Sequence, residues 1–166
     1  MNLEEQRQHI LSGKIYNDLT QELVEARERA VILTNQYNEA FGQSNEVREK
    51  ILSELFESVG ENPYLEPTFR CEFGSNISIG DNFYANFDCI LLDGGGACYA
   101  KKVTIGDNVW VGAGVHINPG VTIGANSIIG SGSVVTKDIP ENVIAVGVPC
   151  KEIRKIIEED KTGFQF

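Results

Sequence analysis

A chain of 166 residues with 42% hydrophobic content can bury one ordinary core, so it holds one domain or one domain with a small appendage. Its formal net charge of −10 excludes a general nucleic-acid or anionic-membrane surface, because phosphate binding needs clustered Lys and Arg. No apolar run is long enough to span a bilayer, and the start MNLEEQRQHI lacks both the basic and the apolar part of a secretory leader; the expectation is a cytoplasmic protein with no membrane partner.

Residues 1–60 read as helical. A short amphipathic stretch ends at Ser12-Gly13, and a second runs from Asp18 to Tyr37 through Leu19, Leu23, Ala26, Ala30 and Leu33. A third, SNEVREKILSELFESVG, sets Val47, Ile51, Leu52, Leu55, Phe56 and Val59 on one face, with Ser44 as N-cap and Gly60 as stop. The Glu and Arg residues of the other faces read as solvated surface.

From Pro67 the pattern changes to a period of six. Ile77-Ser78-Ile79-Gly80, Ala85-Asn86 and Leu91-Leu92 share one register. Ile105-Gly106, Val111-Gly112, Ile117-Asn118, Ile123-Gly124, Ile129-Gly130 and Val135-Thr136 share another, and a second rank two residues earlier holds Val103, Val109, Val115, Val121, Ser127 and Ser133. Neither a helix nor an alternating strand holds such a period. A hexapeptide repeat does. Each unit forms one short flat of a parallel β-helix, and three units complete a coil. Aliphatic residues stack inside, and Gly or Asn takes the tight corner. Leu91 and Ile105 are out of step, so DGGGACYAKK, residues 93–102, interrupts the helix. After Asp138 the chain leaves the coils, and IPENVIAVGVPCKEIRKII ends in a short helix carrying Ile153, Ile156 and Ile157. The expected organisation is a helical region over 1–60, an interrupted β-helix over 61–148, and a C-terminal helix and tail over 149–166.

Cys71, Cys89, Cys98 and Cys150 form no CxxC pair and no metal-like spacing with a histidine, and read as small buried hydrophobes. Cys71 and Cys89 lie three repeat units apart, one coil, and are expected to stack.

The order of these parts resembles the sugar O-acetyltransferases of the hexapeptide-repeat superfamily, of the maltose, galactoside and nodulation-factor type. GKIYNDLTQELVEAR is similar to their N-terminal domain, and GSNISIGDNFYANFDCILLD to their first coils. IGDNVWVGAGVHINPGVTIG and VVTKDIPENVIAVGVPCKEIRKI are similar to their C-terminal half, and NFYANF with TKDIP and GVPC marks this subfamily. The resemblance implies a mainly β fold: a left-handed parallel β-helix of hexapeptide repeats behind an α-helical N-terminal region. It implies a homotrimer with active sites in the grooves between subunits. The implied reaction moves acetyl from acetyl-CoA, the co-substrate, to a sugar hydroxyl without a metal. A histidine is the general base, and backbone N–H groups hold the oxyanion.

Carried over residue by residue, Asp18 and Arg27 match the family's sugar-contacting pair. Tyr84, Asn86 and Asp93 match acceptor-site positions, and the Asn86 amide can orient a catalytic imidazole or an acceptor hydroxyl. On the CoA side Lys137, Lys151 and Arg154 match its cationic positions, where an acidic protein must gather charge locally. Ala113, Ser131 and Thr136 match the pantetheine track, and Trp110 matches a tryptophan beside the same groove.

One departure is large. The family's base lies in a loop reading T-x-x-H-P, between the equivalents of LLD and YAKKVTIGDNVW. Here only GGGAC separates those marks, so a whole coil and the His-Pro loop are absent. Of the two histidines, His9 lies in the N-terminal helix. His116 sits in GVHINPG between inward Val115 and Ile117, points outward, and is the candidate substitute base. Two functions stay open: a sugar O-acetyltransferase acting on maltose, glucose or a galactoside, and a member that binds CoA or sugar without efficient turnover. Metal-dependent hydration of CO2 on this fold needs three histidine ligands and is set aside.

Overall fold

The computed structural model describes residues 1–94 and 100–160. Three helices come first: α1 (Leu3–Leu11), α2 (Gln21–Glu39) and α3 (Asn45–Leu55). Asn2 and Glu5 close a reciprocal capping box at the start of α1, and Ser44 is the N-cap of α3 as expected. Helices α2 and α3 bury Ala30, Leu33, Tyr37, Leu52 and Leu55 against Leu65 and Phe69 of the first coil. Arg48 locks this junction. It is 4% exposed, and its guanidinium lies 4.6 Å from the Tyr64 ring and 4.8 Å from the Tyr37 ring. It also donates to Tyr37 Oη and to the Leu65 carbonyl, each at 2.7 Å.

The helical region is shorter than the sequence predicts. Helix α3 stops at Leu55, and Ser58–Val59 is already strand β1. Gly60 is therefore a β-helix corner and not a helix stop, because Val59-Gly60 is itself a repeat unit one coil below Ile79-Gly80. The first coil continues with β2 (Tyr64–Leu65) and β3 (Arg70–Cys71). The second holds β4 (Ile77–Ile79), β5 (Tyr84–Ala85) and β6 (Ile90–Leu91). The third holds β7 (Val103–Ile105), β8 (Trp110–Val111) and β9 (His116–Ile117), and the fourth β10 (Thr122–Ile123), β11 (Ile128–Ile129) and β12 (Val134–Val135). Strand β13 (Val143–Val146) opens a fifth, and β14 (Lys151–Lys155) folds back on it.

These strands build three flat walls: β1-β4-β7-β10, then β2-β5-β8-β11-β13-β14, then β3-β6-β9-β12. Among the described residues all pairs are parallel except β13 with β14. The segment 93–102 leaves the stack intact, since β4 pairs directly with β7, Ile77 opposite Val103. Gly95, Gly96 and Cys98 lie outside the described residues, as do residues 161–166 of the expected tail.

Two further expectations are corrected. Cys71 pairs with Leu91 and does not stack on Cys89. The first step between coils runs from Ser58 to Ser78, longer than three repeat units, and so shifts the register. The stretch read as a short C-terminal helix is strand β14, followed only by a short 3-10 turn, Glu158–Asp160. The last coil leaves β13 with an open edge of backbone donors and acceptors, and β14 satisfies it by pairing Val143 with Lys155 and Val146 with Lys151.

The inward ranks follow the period of six. Leu65, Ala85, Val111, Ile129 and Ala145 line the six-stranded wall from inside, while Leu91, Ile117 and Val135 line the third; all are buried. Ser127 and Ser133 take core positions by bonding backbone, Ser127 Oγ to the Pro140 carbonyl at 2.8 Å and Ser133 Oγ from the Gly147 N–H at 3.0 Å. At one corner Asn62, Asn82, Asn108, Asn126 and Asn142 all adopt positive φ, between 53° and 58°. Their amides bond one to the next up the stack at 2.9–3.2 Å. Asn tolerates the left-handed conformation that other side-chain-bearing residues resist. Asn108→Ala should therefore lower stability by about 1–2 kcal/mol, whereas Asn108→Gly, which relieves φ and loses only exposed bonds, should cost less. Denaturant unfolding of the two variants checks this order.

Candidate functional site

The outer face of the six-stranded wall carries one residue per coil, partner beside partner: Tyr64, Tyr84, Trp110, Ile128, Ile144 and, across the closing hairpin, Arg154. Tyr64 and Tyr84 stack with centroids 5.4 Å apart and planes 5° from parallel. Trp110, the single tryptophan, is 48% exposed.

Two residues past each strand's first lies a second, polar rank, with Glu66 under Asn86. The Glu66 carboxylate accepts from Tyr84 Oη at 2.8 Å and from Asn86 Nδ2 at 3.2 Å. Asn86 Oδ1 in turn accepts from Trp110 Nε1 at 2.8 Å. Burial first, and then the hydrogen bond to Glu66, push the Tyr84 phenol up to about 12. The next residue of the rank is Gly112. A Cβ there would meet Ser131 N and Oγ at 2.6 Å, so bare backbone is required above Asn86.

The positions expected on the CoA side occupy the upper coils. Ala113 and Ser131 are stacked at the corner beside Trp110, where the Gly132 N–H donates to the Ala113 carbonyl at 2.8 Å. Thr136 and Lys137 are exposed at the next corner, after β12, and Lys151 and Arg154 are exposed on β14. Arg154 is engaged: Asp160 takes its two terminal nitrogens at 2.5 and 2.8 Å. That guanidinium, with the Ile157 N–H, draws the Asp160 carboxyl down to about 2.

The other acceptor-side residues form a separate cluster where the helices meet the third wall. Arg27 donates to the Asp18 carbonyl, lies 3.7 Å from the Asp18 carboxylate and 3.8 Å from that of Glu72, and covers the Phe73 ring at 5.4 Å. Burial raises the Glu72 carboxyl, with Arg27 opposing it. Asp93 is 0% exposed and offers an acceptor no open face. Its carboxylate accepts backbone N–H groups from Glu72 at 3.1 Å, Phe73 at 2.9 Å and Asn76 at 3.2 Å. Burial raises its pKa against these bonds. The residue expected to touch sugar is here an anchor for the loop between the first two coils.

His116 is exposed on β9, flanked across the third wall by Ile90 and Val134, on a different face from Asn86. His9 is half-buried on α1, its Nε2 3.2 Å from the Ile15 carbonyl. Glu66 and Glu72 were not among the expected site residues. A first coil counted from Ser58 places Glu66 directly below Asn86, which is the signal that finds it.

The pattern of the bacterial transferase hexapeptide (six repeats) matches residues 102–137, and that of the maltose acetyltransferase hexapeptide capping motif matches residues 9–60. Galactoside O-acetyltransferase of Escherichia coli (strain K12) is 41% identical over 184 residues, covering 93% of this chain and 91% of that protein. The chain belongs to the hexapeptide-repeat acetyltransferase family. Among solved structures of this family, a maltose O-acetyltransferase from Clostridium difficile 630 is similar with a TM-score of 0.73 and 41% identity, over 95% of this chain and 99% of that one. A galactoside acetyltransferase in complex with coenzyme A also superposes with a TM-score of 0.73, at 39% identity, over 97% of this chain and 94% of that one. The mainly β class expected from the repeats is borne out, and a left-handed winding is consistent with family membership. The family contains members that bind coenzyme A.

Two tests follow from the geometry. Asp93→Ala strips an acceptor from three backbone N–H groups, two of them in buried bonds, and should cost about 3 kcal/mol in denaturant unfolding, where an open contact residue would cost little. Folding favours the neutral Tyr84 phenol, so its contribution is intact below the ordinary tyrosine value of about 10 and is lost as pH rises through about 12. Tyr84→Phe should delete a phenolate step near 12 from an ultraviolet titration of the folded protein.

Proposed function

We propose that this chain transfers acetyl from acetyl-CoA to a sugar hydroxyl, as a cytoplasmic homotrimer with its sites in the grooves between subunits. The observation that carries this is the near full-length match, at 41% identity, to a galactoside O-acetyltransferase. No metal is needed. Trp110, Ala113, Ser131 and Thr136 lie along the donor groove, and the cations Lys137, Lys151 and Arg154 take the phosphates, Arg154 by exchanging Asp160 for a ligand oxygen. Asp18 and Arg27 hold the acceptor with Tyr84.

In the reaction a base removes the proton of the sugar hydroxyl, whose oxygen attacks the thioester carbonyl. The tetrahedral oxyanion is held by backbone N–H groups, and the CoA sulfur leaves with the proton. His116 is the base available on the coils. It sits on a different wall from Asn86, so the two act together only where the third wall of one copy meets the six-stranded wall of another. This is why the reading requires a ring of subunits.

A second reading is a family member that binds CoA or sugar with little turnover. The observation favouring it is that the Asn86 amide is already engaged at both ends within one chain, oxygen on Trp110 and nitrogen on Glu66.

CoA release from acetyl-CoA, measured with maltose, glucose and galactosides and corrected for hydrolysis without acceptor, decides between them. Sugar-dependent release is expected, and His116→Ala should lower it by roughly 10²–10⁴-fold. Absence of release with CoA binding retained in calorimetry makes the chain a binder. In either case Arg154→Ala should weaken CoA binding by about 10-fold or more, as for a charge-assisted bond of about 1.5–3 kcal/mol.

A further inference from the structure

We propose that Glu66 is a positioning residue that fixes the orientation of the Asn86 amide, oxygen toward Trp110, on the wall assigned above to acetyl transfer. The inference rests on that assignment for its bearing on catalysis, and on the following geometry for the rest. An ionised carboxylate only accepts, and Glu66 receives Tyr84 Oη at 2.8 Å and Asn86 Nδ2 at 3.2 Å on its two oxygens. An amide held by its nitrogen presents its oxygen on the other side. There stands the indole N–H of Trp110, a group that only donates, 2.8 Å from Asn86 Oδ1.

The chain of bonds therefore has a single polarity, Trp110 to Asn86 to Glu66. Turning the amide over would set its N–H against the indole N–H and its oxygen against the carboxylate, losing both bonds at once. Glu66 is itself firmly placed, since it follows β2 directly and its N–H bonds the Ala85 carbonyl at 2.8 Å. Tyr84, the other donor, is held by the Tyr64 ring stacked on it, which in turn lies against Arg48. Glu66 thus converts the rigidity of the helix–coil junction into a defined direction for one amide in the groove.

Trp110 is the only tryptophan, so its emission reads this network without any turnover. Glu66→Leu should release the indole to water, giving a red shift and stronger acrylamide quenching. Glu66→Gln should keep the parent spectrum, because its carbonyl accepts from Asn86 while its amide donates to the Tyr84 oxygen. Asn86→Asp sets two carboxylates against each other and should shift the emission. The double variant Asn86→Asp with Glu66→Gln should restore it, the new amide donating to one Asp oxygen while the other accepts from Trp110.

Parent-like emission in Glu66→Leu, or failure of the double variant to restore it, overturns the proposal. If Glu66→Leu does not fold by circular dichroism, the compensating pair decides alone. CoA release is measured on the same proteins. With an active parent, Glu66→Leu should lose kcat, and Glu66→Gln should recover it; equal loss in Leu and Gln overturns the positioning role. The full emission pattern in a parent that releases no CoA upholds the geometry and sinks the acetyl-transfer reading. An active parent without the emission pattern does the reverse.

Discussion

At the corner after the first wall, a Cβ placed on Gly60, Gly80, Gly106 or Gly124 would fall between 2.3 and 2.7 Å from the coil above. Neighbouring strands are held about 4.8 Å apart by their hydrogen bonds, and a chain turning a tight corner at that spacing has no room for side chains on the inside of the turn. Glycine there, followed by asparagine in the left-handed conformation, lets each coil lie flat on the last. Once coils lie flat, every other residue is fixed by where it stands in its repeat. The inner ranks of Ile, Val and Leu meet their equivalents, and the outer ranks are laid out as columns.

The columns are what make chemistry possible on so plain a scaffold. Tyr64, Tyr84 and Trp110 are neighbours because they stand at one position in three coils, and Glu66 and Asn86 because they stand two residues later. The helical region adds what the coils lack. Arg48 is buried among aromatic rings that continue outward as the Tyr64–Tyr84 stack, and Arg27 reaches from α2 to Glu72 at the foot of the third wall. The two polar clusters lie on different walls of one chain.

The inner architecture was legible because a period of six has one structural solution. The same count places His116 facing outward and Val115 and Ile117 inward, which the structure repeats. The first coil was hidden because Val59 continues the apolar spacing of Leu55 and Phe56, so strand β1 reads as the last turn of a helix. Its longer step then concealed both Glu66 beneath Asn86 and the true partner of Cys71. The closing strand was misread because Ile153, Ile156 and Ile157 have helical spacing, while the force acting there is the open edge of β13, a property of the assembled stack. For Asp93, a matched motif position carries no information on the backbone that closes over it.

The steps from one coil to the next are unequal. Ser58 to Ser78 and Ser78 to Thr104 overrun three repeat units, Thr104 to Thr122 matches them, and Ile128 to Ile144 falls short. The strands above and below each step nonetheless remain in register, because the surplus or shortfall is absorbed at corners, outside the hydrogen-bonded flats. Such a molecule is edited by the storey: a few residues added at a landing leave the floors where they are, whereas a whole coil removed lowers everything above it by one floor without tilting it. Side chains that stood on separate floors become next-door neighbours, and new contacts arise with no substitution at either residue.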